Sequence, residues 1–173
     1  LQTSGSDYYR TEYFGPAQVE LCGDVSGLAV IDVGCGAGYF SREMSRRGAQ
    51  VTAIDLSPQM IRIAKTLSGN ENNSYRVLDA ANIGESFSPE SFDLATACVS
   101  LQDTHDPSAV IAAVHRVLKS GARFVFCNTH PCTDTPYRRW VKDEAGRKTA
   151  LEIAGYFDRG PIEFEWKSSR YKY

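Results

Sequence analysis

Positive charge is nowhere concentrated in this chain. Nineteen lysines and arginines are offset by 21 aspartates and glutamates, a net charge of −2, and the basic residues come at most in pairs such as Arg46-Arg47 and Arg138-Arg139. A nucleic-acid surface needs a denser positive footprint, so that class of partner is not expected. No apolar run approaches the roughly 20 residues that span a bilayer, and the first residues do not read as a charged-then-apolar leader, so no membrane partner is expected. Internal repeats and low-complexity tracts are lacking too. The five cysteines, Cys22, Cys35, Cys98, Cys127 and Cys132, are odd in number and include no CxxC spacing. They suggest neither a disulfide framework nor a zinc site, and His130 with Cys132 supplies only two of the four ligands zinc requires. No metal is expected, and a reducing cytoplasm is the natural setting. At 173 residues and 42% hydrophobic content, the chain suits one domain around one ordinary core.

Against those absences stands one dense signal, the run Val30-Ile31-Asp32-Val33-Gly34-Cys35-Gly36-Ala37-Gly38-Tyr39-Phe40. It reads as a buried strand that breaks into three glycines at alternate positions and then turns helical. Residues without Cβ let a ligand approach the backbone, and the helix that follows aims unpaired N–H groups at it. A dinucleotide fingerprint, GxGxxG, wants its last glycine where this chain has Tyr39. The pattern here is GxGxG, with Asp32 two residues ahead of it.

Seventeen residues past Gly38, Val51-Thr52-Ala53-Ile54-Asp55 is a second apolar strand ending in a carboxylate. An acid about 20 residues beyond a glycine turn is placed to accept both hydroxyls of an adenosine ribose. The alternative for Asp55 is a turn residue at a strand end. Ser57 is a natural N-cap and Pro58 a natural first helical residue. Met60, Ile63, Ala64 and Leu67 then recur at helical spacing, with Gly69 as a stop. Met60 reads equally as core filler or as a wall for an adenine ring. The third strand, Tyr75-Arg76-Val77-Leu78, ends at Asp79-Ala80. This carboxylate and the N–H after it match the N6 amine and a ring nitrogen of adenine, while an N-cap role for Asp79 is the alternative. Ser91 to Val99 reads as a fourth buried strand. Asp106 and Pro107 open a helix with the apolar face Val110, Ala113, Val114, Val117 and Leu118, expected to close at Gly121. Arg123 to Asn128 is the fifth strand. Strand and helix alternate, so the expected fold is α/β: a doubly wound, mostly parallel sheet with helices on both faces.

These motifs, over roughly residues 28 to 130, together resemble the class I S-adenosylmethionine (SAM) methyltransferases, and the stretch from Phe92 through Arg116-Val117-Leu118-Lys119-Ser120-Gly121 to Thr129-His130-Pro131 resembles the small-molecule, ubiquinone/menaquinone-biosynthesis type (type 11). Ala122 departs from the family, which usually has a second glycine there. The resemblance implies SAM as cofactor, S-adenosylhomocysteine as product, and a small-molecule acceptor methylated on O, N, S or C. It implies a glycine turn, Gly34, Cys35, Gly36 and Gly38, under the methionyl part, with Asp32 holding the turn and the ligand's amino group. Asp55, Leu56, Met60, Asp79, Ala80 and Cys98 complete the implied cofactor set. Two other readings stand beside it: a nicotinamide oxidoreductase, disfavoured by Tyr39, and a SAM-binding domain without catalysis.

Because the SAM methyl is already activated, alignment is the main requirement and a dedicated base is optional. Asp103, His105 and His130 are the candidates for one, all in loops beyond strand carboxyl ends. The expected organisation is an N-terminal helical cap (1–27), the cofactor core (28–130) and an acceptor-site cover or incomplete C-terminal part (131–173). The aromatic opening, Tyr8-Tyr9-Arg10-Thr11-Glu12-Tyr13-Phe14, is expected either to fold over the cofactor, with Tyr rings facing the sulfonium, or to cover the sheet as an amphipathic helix. Near the other end, Ile162 to Lys167 alternates as a half-buried strand. The reversed hairpin with which the family finishes its sheet is not recognisable before Tyr173, and the chain starts at Leu1. A fragment of a longer chain is therefore expected.

Overall fold

A computed structural model describes residues 8–69, 73–130 and 137–157. The chain divides into two compact units, Leu1–Asn128 and Thr129–Tyr173. The first is built on five strands: β1 (Ala29–Val33), β2 (Gln50–Asp55), β3 (Asn73–Val77), β4 (Phe92–Cys98) and β5 (Leu118–Cys127). They form one parallel sheet in the order β3-β2-β1-β4-β5. The order reverses between β1 and β4, which opens a crevice at their carboxyl ends where α/β sheets bind ligands.

Both faces of the sheet are covered, which is why its strands are almost continuously apolar. Helices α1 (Gly15–Cys22), α2 (Tyr39–Arg46) and α3 (Pro58–Leu67) bring Cys22, Phe40, Met44, Ile61 and Ala64 against Val30, Val51, Ala53, Leu94 and Val125. On the other face, short α4 (Ile83–Ser86) and α5 (Pro107–Val117) bring Ile83, Val110, Val114 and Val117 against Ile31, Val33, Ile54, Ala95 and Ala97. Each fully buried valine of α5 contributes roughly 1.5–3 kcal/mol by leaving water. The caps expected from sequence are present: Ser57 Oγ accepts from Met60 N at 3.3 Å, and Asp106 Oδ1 accepts from Ala109 N at 3.0 Å.

Helix α1, eight residues long, is too short to be stable alone and is fastened by two polar side chains. Gln18, 2% exposed, donates its amide N–H to the Ala97 carbonyl at 3.1 Å. The Arg123 guanidinium donates to the Leu21 and Cys22 carbonyls at 2.9 Å each, satisfying the helix's last acceptors.

Two sequence expectations need correction. Helix α5 does not run to Gly121: it ends at Val117, and Leu118 turns extended (φ −78°, ψ 140°) to pair with Phe92. The Val117 carbonyl accepts from Ser91 N at 2.8 Å, and Gly121 (φ +78°) instead sits in the irregularity that lets β5 regain register at Arg123. The strand pairing captured the helix end before the glycine was reached. An antiparallel pair also exists before Tyr173, β6 (Arg138–Lys142) with β7 (Lys148–Ile153), forming its own two-stranded sheet in the second unit. Its turn is set by Asp143, whose Oδ1 accepts from Ala145 N and Arg147 N at 3.0 and 2.9 Å, and by Gly146 at φ +77°. The strand expected at Ile162–Lys167 lies outside the described residues.

Candidate cofactor site

Three glycines leave β1, each at positive φ, for different reasons. A Cβ on Gly34 would lie 2.5 Å from Ser100 Cβ, and one on Gly38 would lie 2.7 Å from the Tyr75 hydroxyl. Those two are required by packing within the protein. Gly36 alone of the three would point a Cβ into open space, with nothing within 4 Å. The turn is closed by Cys35 N donating to the Ile54 carbonyl and Gly38 N to the Cys35 carbonyl, both at 2.9 Å, and by Arg42 donating to the Ala37 carbonyl at 2.7 Å.

Asp55, at the end of β2, joins that turn to its own loop. Its Oδ2 accepts from Gly36 N and its Oδ1 from Ser57 N, both at 2.8 Å. A carboxylate has about four lone-pair sites, so two acceptor directions remain. Beside it Leu56 is 70% exposed, and Met60 is half-buried and belongs to neither cluster of core side chains. After β3, Asp79 caps the 3-10 turn Ala80–Asn82 by accepting from Ala81 N at 2.9 Å. The capping alternative is thus realised, through one oxygen.

Asp32 is 1% exposed. It accepts from Ser41 Oγ of α2 at 2.5 Å and from Thr96 Oγ1 of β4 at 3.0 Å, tying the helix after the glycine turn to the strands on both sides of the crevice. Burial pushes its carboxyl up to about 6, against the two hydroxyl donors that favour the ionised form. Burial likewise raises the Cys35 thiol, and the Cys98 thiol to about 12, so both are protonated near neutral pH. After Cys98 the chain turns sharply through Val99 (φ +53°), and Ser100 Oγ donates to the Val33 carbonyl at 2.8 Å.

The structure therefore lines Asp79-Ala80, Asp55-Leu56-Met60, Asp32 with the glycine turn, and Cys98 along the carboxyl ends of β3, β2, β1 and β4. Asp103 and His105 are exposed on the loop after β4, and His130 belongs to the second unit, where it stacks on Tyr156 at 6.5 Å between centroids. In the aromatic opening, Tyr8 and Tyr13 are 60% and 70% exposed. Sequence reasoning missed Ser41, Thr96, Ser100 and Arg10. Thr96 was detectable as the one hydroxyl inside the apolar run Leu94 to Cys98; Arg10 carried no signal of its own. Its guanidinium lies 5.7 Å from the centroid of the Tyr39 ring, the Tyr39 hydroxyl donates to its carbonyl at 3.2 Å, and its Nη1 is buried with no hydrogen-bond partner.

The sequence profile of a family described as a methyltransferase domain matches residues 31–126, more than half of the chain and the whole crevice. The chain belongs to that family. It is a class I SAM methyltransferase of the type 11 branch, and ubiquinone biosynthesis O-methyltransferases are among its relatives: that of Xanthomonas oryzae is 42% identical over 103 residues, covering 58% of this chain and 42% of the relative. That of Pseudomonas syringae is 38% identical over 105 residues, covering 60% and 45%. The methyltransferase domain thus spans less than half the length of these curated relatives. A SAM-dependent methyltransferase from Mesorhizobium loti superposes with a TM-score of 0.76 at 32% identity, covering 86% of this chain and 67% of that one. The match leaves the nicotinamide reading without support. Among the described residues, no helix is long and apolar enough to cross a membrane, and no group of three or more His, Cys, Asp or Glu side chains is placed to hold a metal.

Proposed function

We propose that this methyltransferase domain binds SAM along the carboxyl edge of its sheet and directs the methyl to a small-molecule acceptor. The observation that carries the reading is the Asp55 carboxylate, held by Gly36 N and Ser57 N at 2.8 Å beside a glycine whose missing Cβ leaves the cradle open. These residues fit an adenosine joined to an amino acid. Asp55 has two acceptor directions left for the two ribose donors, Asp79 and Ala80 stand at the next strand end for the adenine, and Met60 and Leu56 offer apolar surface for its face. Gly34, Cys35, Gly36 and Gly38 carry the methionyl part over their backbone, Asp32 fixes the turn from beneath, and Cys98 lines the side toward β4. SAM would supply a methyl on a positively charged sulfonium, already activated for in-line displacement.

The chain's own task is alignment and exclusion of water. An acceptor hydroxyl or ammonium also has to lose a proton, and Asp103 and His105, on the loop after β4, are the proposed positions for taking it in this unit; His130 is the proposed position in the second. The ubiquinone biosynthesis O-methyltransferase relatives favour an aromatic hydroxyl as acceptor. Incubating the protein with methyl-labelled SAM and a panel of catechols, phenols, amines and thiols tests this. Label in an O-methyl ether of a catechol or phenol is expected. Binding of S-adenosylhomocysteine with no transfer to any acceptor would favour a SAM-binding domain without catalysis.

A further inference from the structure

In a parallel sheet, residues in register on neighbouring strands stand on the same face, about 4.7–4.9 Å apart. A disulfide needs Cα atoms roughly 4.4–6.8 Å apart with their Cβ atoms on one side. Strand β4 ends on Cys98 and β5 on Cys127, and the two are register partners. The core fixes their common face: Leu94 of β4 and Val125 of β5, an even number of residues back along each strand, are buried in one cluster, and Cys98 packs against it. The Val99 amide donates to the Cys127 carbonyl at 2.8 Å and holds the two strand ends together. Cys127 is near enough for its charge to act on the Cys98 thiol, and both thiols are free.

The other described cysteines are placed differently. Cys22 is fully buried on α1, and Cys35 lies in the glycine turn at the end of β1. Cys98 and Cys127 are both half-buried, and Cys127 sits on the outer strand of the sheet between the exposed residues Phe126 and Asn128.

We propose that Cys98 and Cys127 are a reversible dithiol–disulfide pair, a modification site that takes a small disulfide such as oxidised glutathione as its oxidant. The Cys127 sulfur, as thiolate, attacks one sulfur of the oxidant; that S–S bond breaks, and the departing glutathione thiolate takes up the proton Cys127 has lost. The Cys98 sulfur then displaces the second glutathione from Cys127 in the same way. Two protein thiols become one disulfide and one small disulfide becomes two thiols, so the step balances. Strands about 4.8 Å apart exceed the roughly 3.8 Å between Cβ atoms in a relaxed disulfide, so closing the bond draws the strand ends together and strains it. Strained disulfides are the readily reduced, regulatory kind. Burial raises both thiols, so little thiolate is present and the exchange is slow.

The bond bears on the cofactor crevice through the chain that follows Cys98. Val99 turns at φ +53°, Ser100 Oγ donates to the Val33 carbonyl at 2.8 Å, and Gly34 has no room for a Cβ beside Ser100. Drawing Cys98 toward β5 disturbs this packing on the glycine turn, so oxidation weakens the ligand; that consequence rests on the SAM reading above.

Long incubation of the protein in a glutathione redox buffer, followed by thiol titration, peptide mass mapping and calorimetry, tests both steps. Expected are the loss of two of the five thiols, a linked peptide pair joining Cys98 to Cys127, and full recovery with dithiothreitol. The oxidised form should bind S-adenosylhomocysteine about fivefold or more weakly, and by reciprocity the ligand should shift the redox midpoint toward the dithiol by the same factor. Cys127→Ser should bind like the reduced protein and show no response of affinity to the oxidant. A stable mixed disulfide with glutathione, a link from Cys127 to Cys132, or five thiols persisting at high oxidant would overturn the pairing. Equal affinity in the two forms would overturn the regulatory role. Should neither form bind S-adenosylhomocysteine, the SAM reading fails and the effect on the site with it, while the linked peptide still decides whether the pair forms.

Discussion

Replacing Asp32 with asparagine should stabilise this protein at neutral pH, although it removes a side chain at the centre of the site. Asp32 is 1% exposed and its carboxyl is raised by burial from 3.8 to about 6. In the unfolded chain it ionises near its ordinary value; in the folded chain it holds its proton longer. The group's contribution to stability is complete below about pH 4, where both states are protonated, and is lost as pH rises through about 6. A difference of about 2 pH units corresponds to about 3 kcal/mol at pH 7. Asparagine imitates the protonated acid: its oxygen accepts from one hydroxyl, and its amide donates to the oxygen of the other, because Ser41 and Thr96 accept as well as donate. Urea unfolding of both proteins from about pH 4 to 7.5 reads the effect. With a slope of about 2 kcal/mol per molar urea, the variant's midpoint should exceed the original's by roughly 1–1.5 M at pH 7 and match it near pH 4. Groups such as Asp93, lowered by Lys119, act equally in both proteins and cancel in the difference. A midpoint difference that does not change with pH would refute the reasoning.

Further outcomes follow from the same geometry. Asp55→Ala should weaken S-adenosylhomocysteine by more than tenfold, since two charged hydrogen bonds to the ribose are lost and Gly36 N and Ser57 N lose their acceptor; calorimetry gives the value. Gly34→Ala should destabilise by about 2–4 kcal/mol, from a left-handed backbone and a Cβ 2.5 Å from that of Ser100. Adding Ser100→Gly should recover part of this loss in urea unfolding. Gly36→Ala meets no neighbour, so its stability should fall by only about 1–2 kcal/mol while ligand affinity drops much further, a split that thermal melting and calorimetry resolve.

The parts of the fold legible in sequence were those written in local chemistry. Ser57-Pro58 and Asp106-Pro107 mark helix starts because a cap and a pre-set φ act within a few residues, and both caps are formed. The alternation of strands and helices was enough for a parallel sheet. Gly121 misled because its conformational freedom serves an irregularity in β5, whereas the end of α5 is fixed by pairing with Phe92, a contact 26 residues away in sequence. The hairpin of β6 and β7 was hidden because its signal is a short turn, Asp143 to Gly146, between strands with exposed faces and no clean alternation. At the site, Asp32, the glycines and Asp55 stood out because strand ends put them there. Ser41, Thr96 and Ser100 act through long-range packing that no spacing encodes, and Arg10 is noticeable only once its neighbours show that one of its donors is unpaired.

The central claim is that the carboxyl edge around Asp55 and the glycine turn binds an adenosine linked to an amino acid. Its most direct test is titration of the protein with S-adenosylhomocysteine and with NAD in parallel, repeated on Asp55→Ala. Saturable binding of S-adenosylhomocysteine, none of NAD, and a more than tenfold loss in the variant are the results the account predicts. Binding of NAD in its place, or S-adenosylhomocysteine affinity untouched by removal of the Asp55 carboxylate, would contradict it.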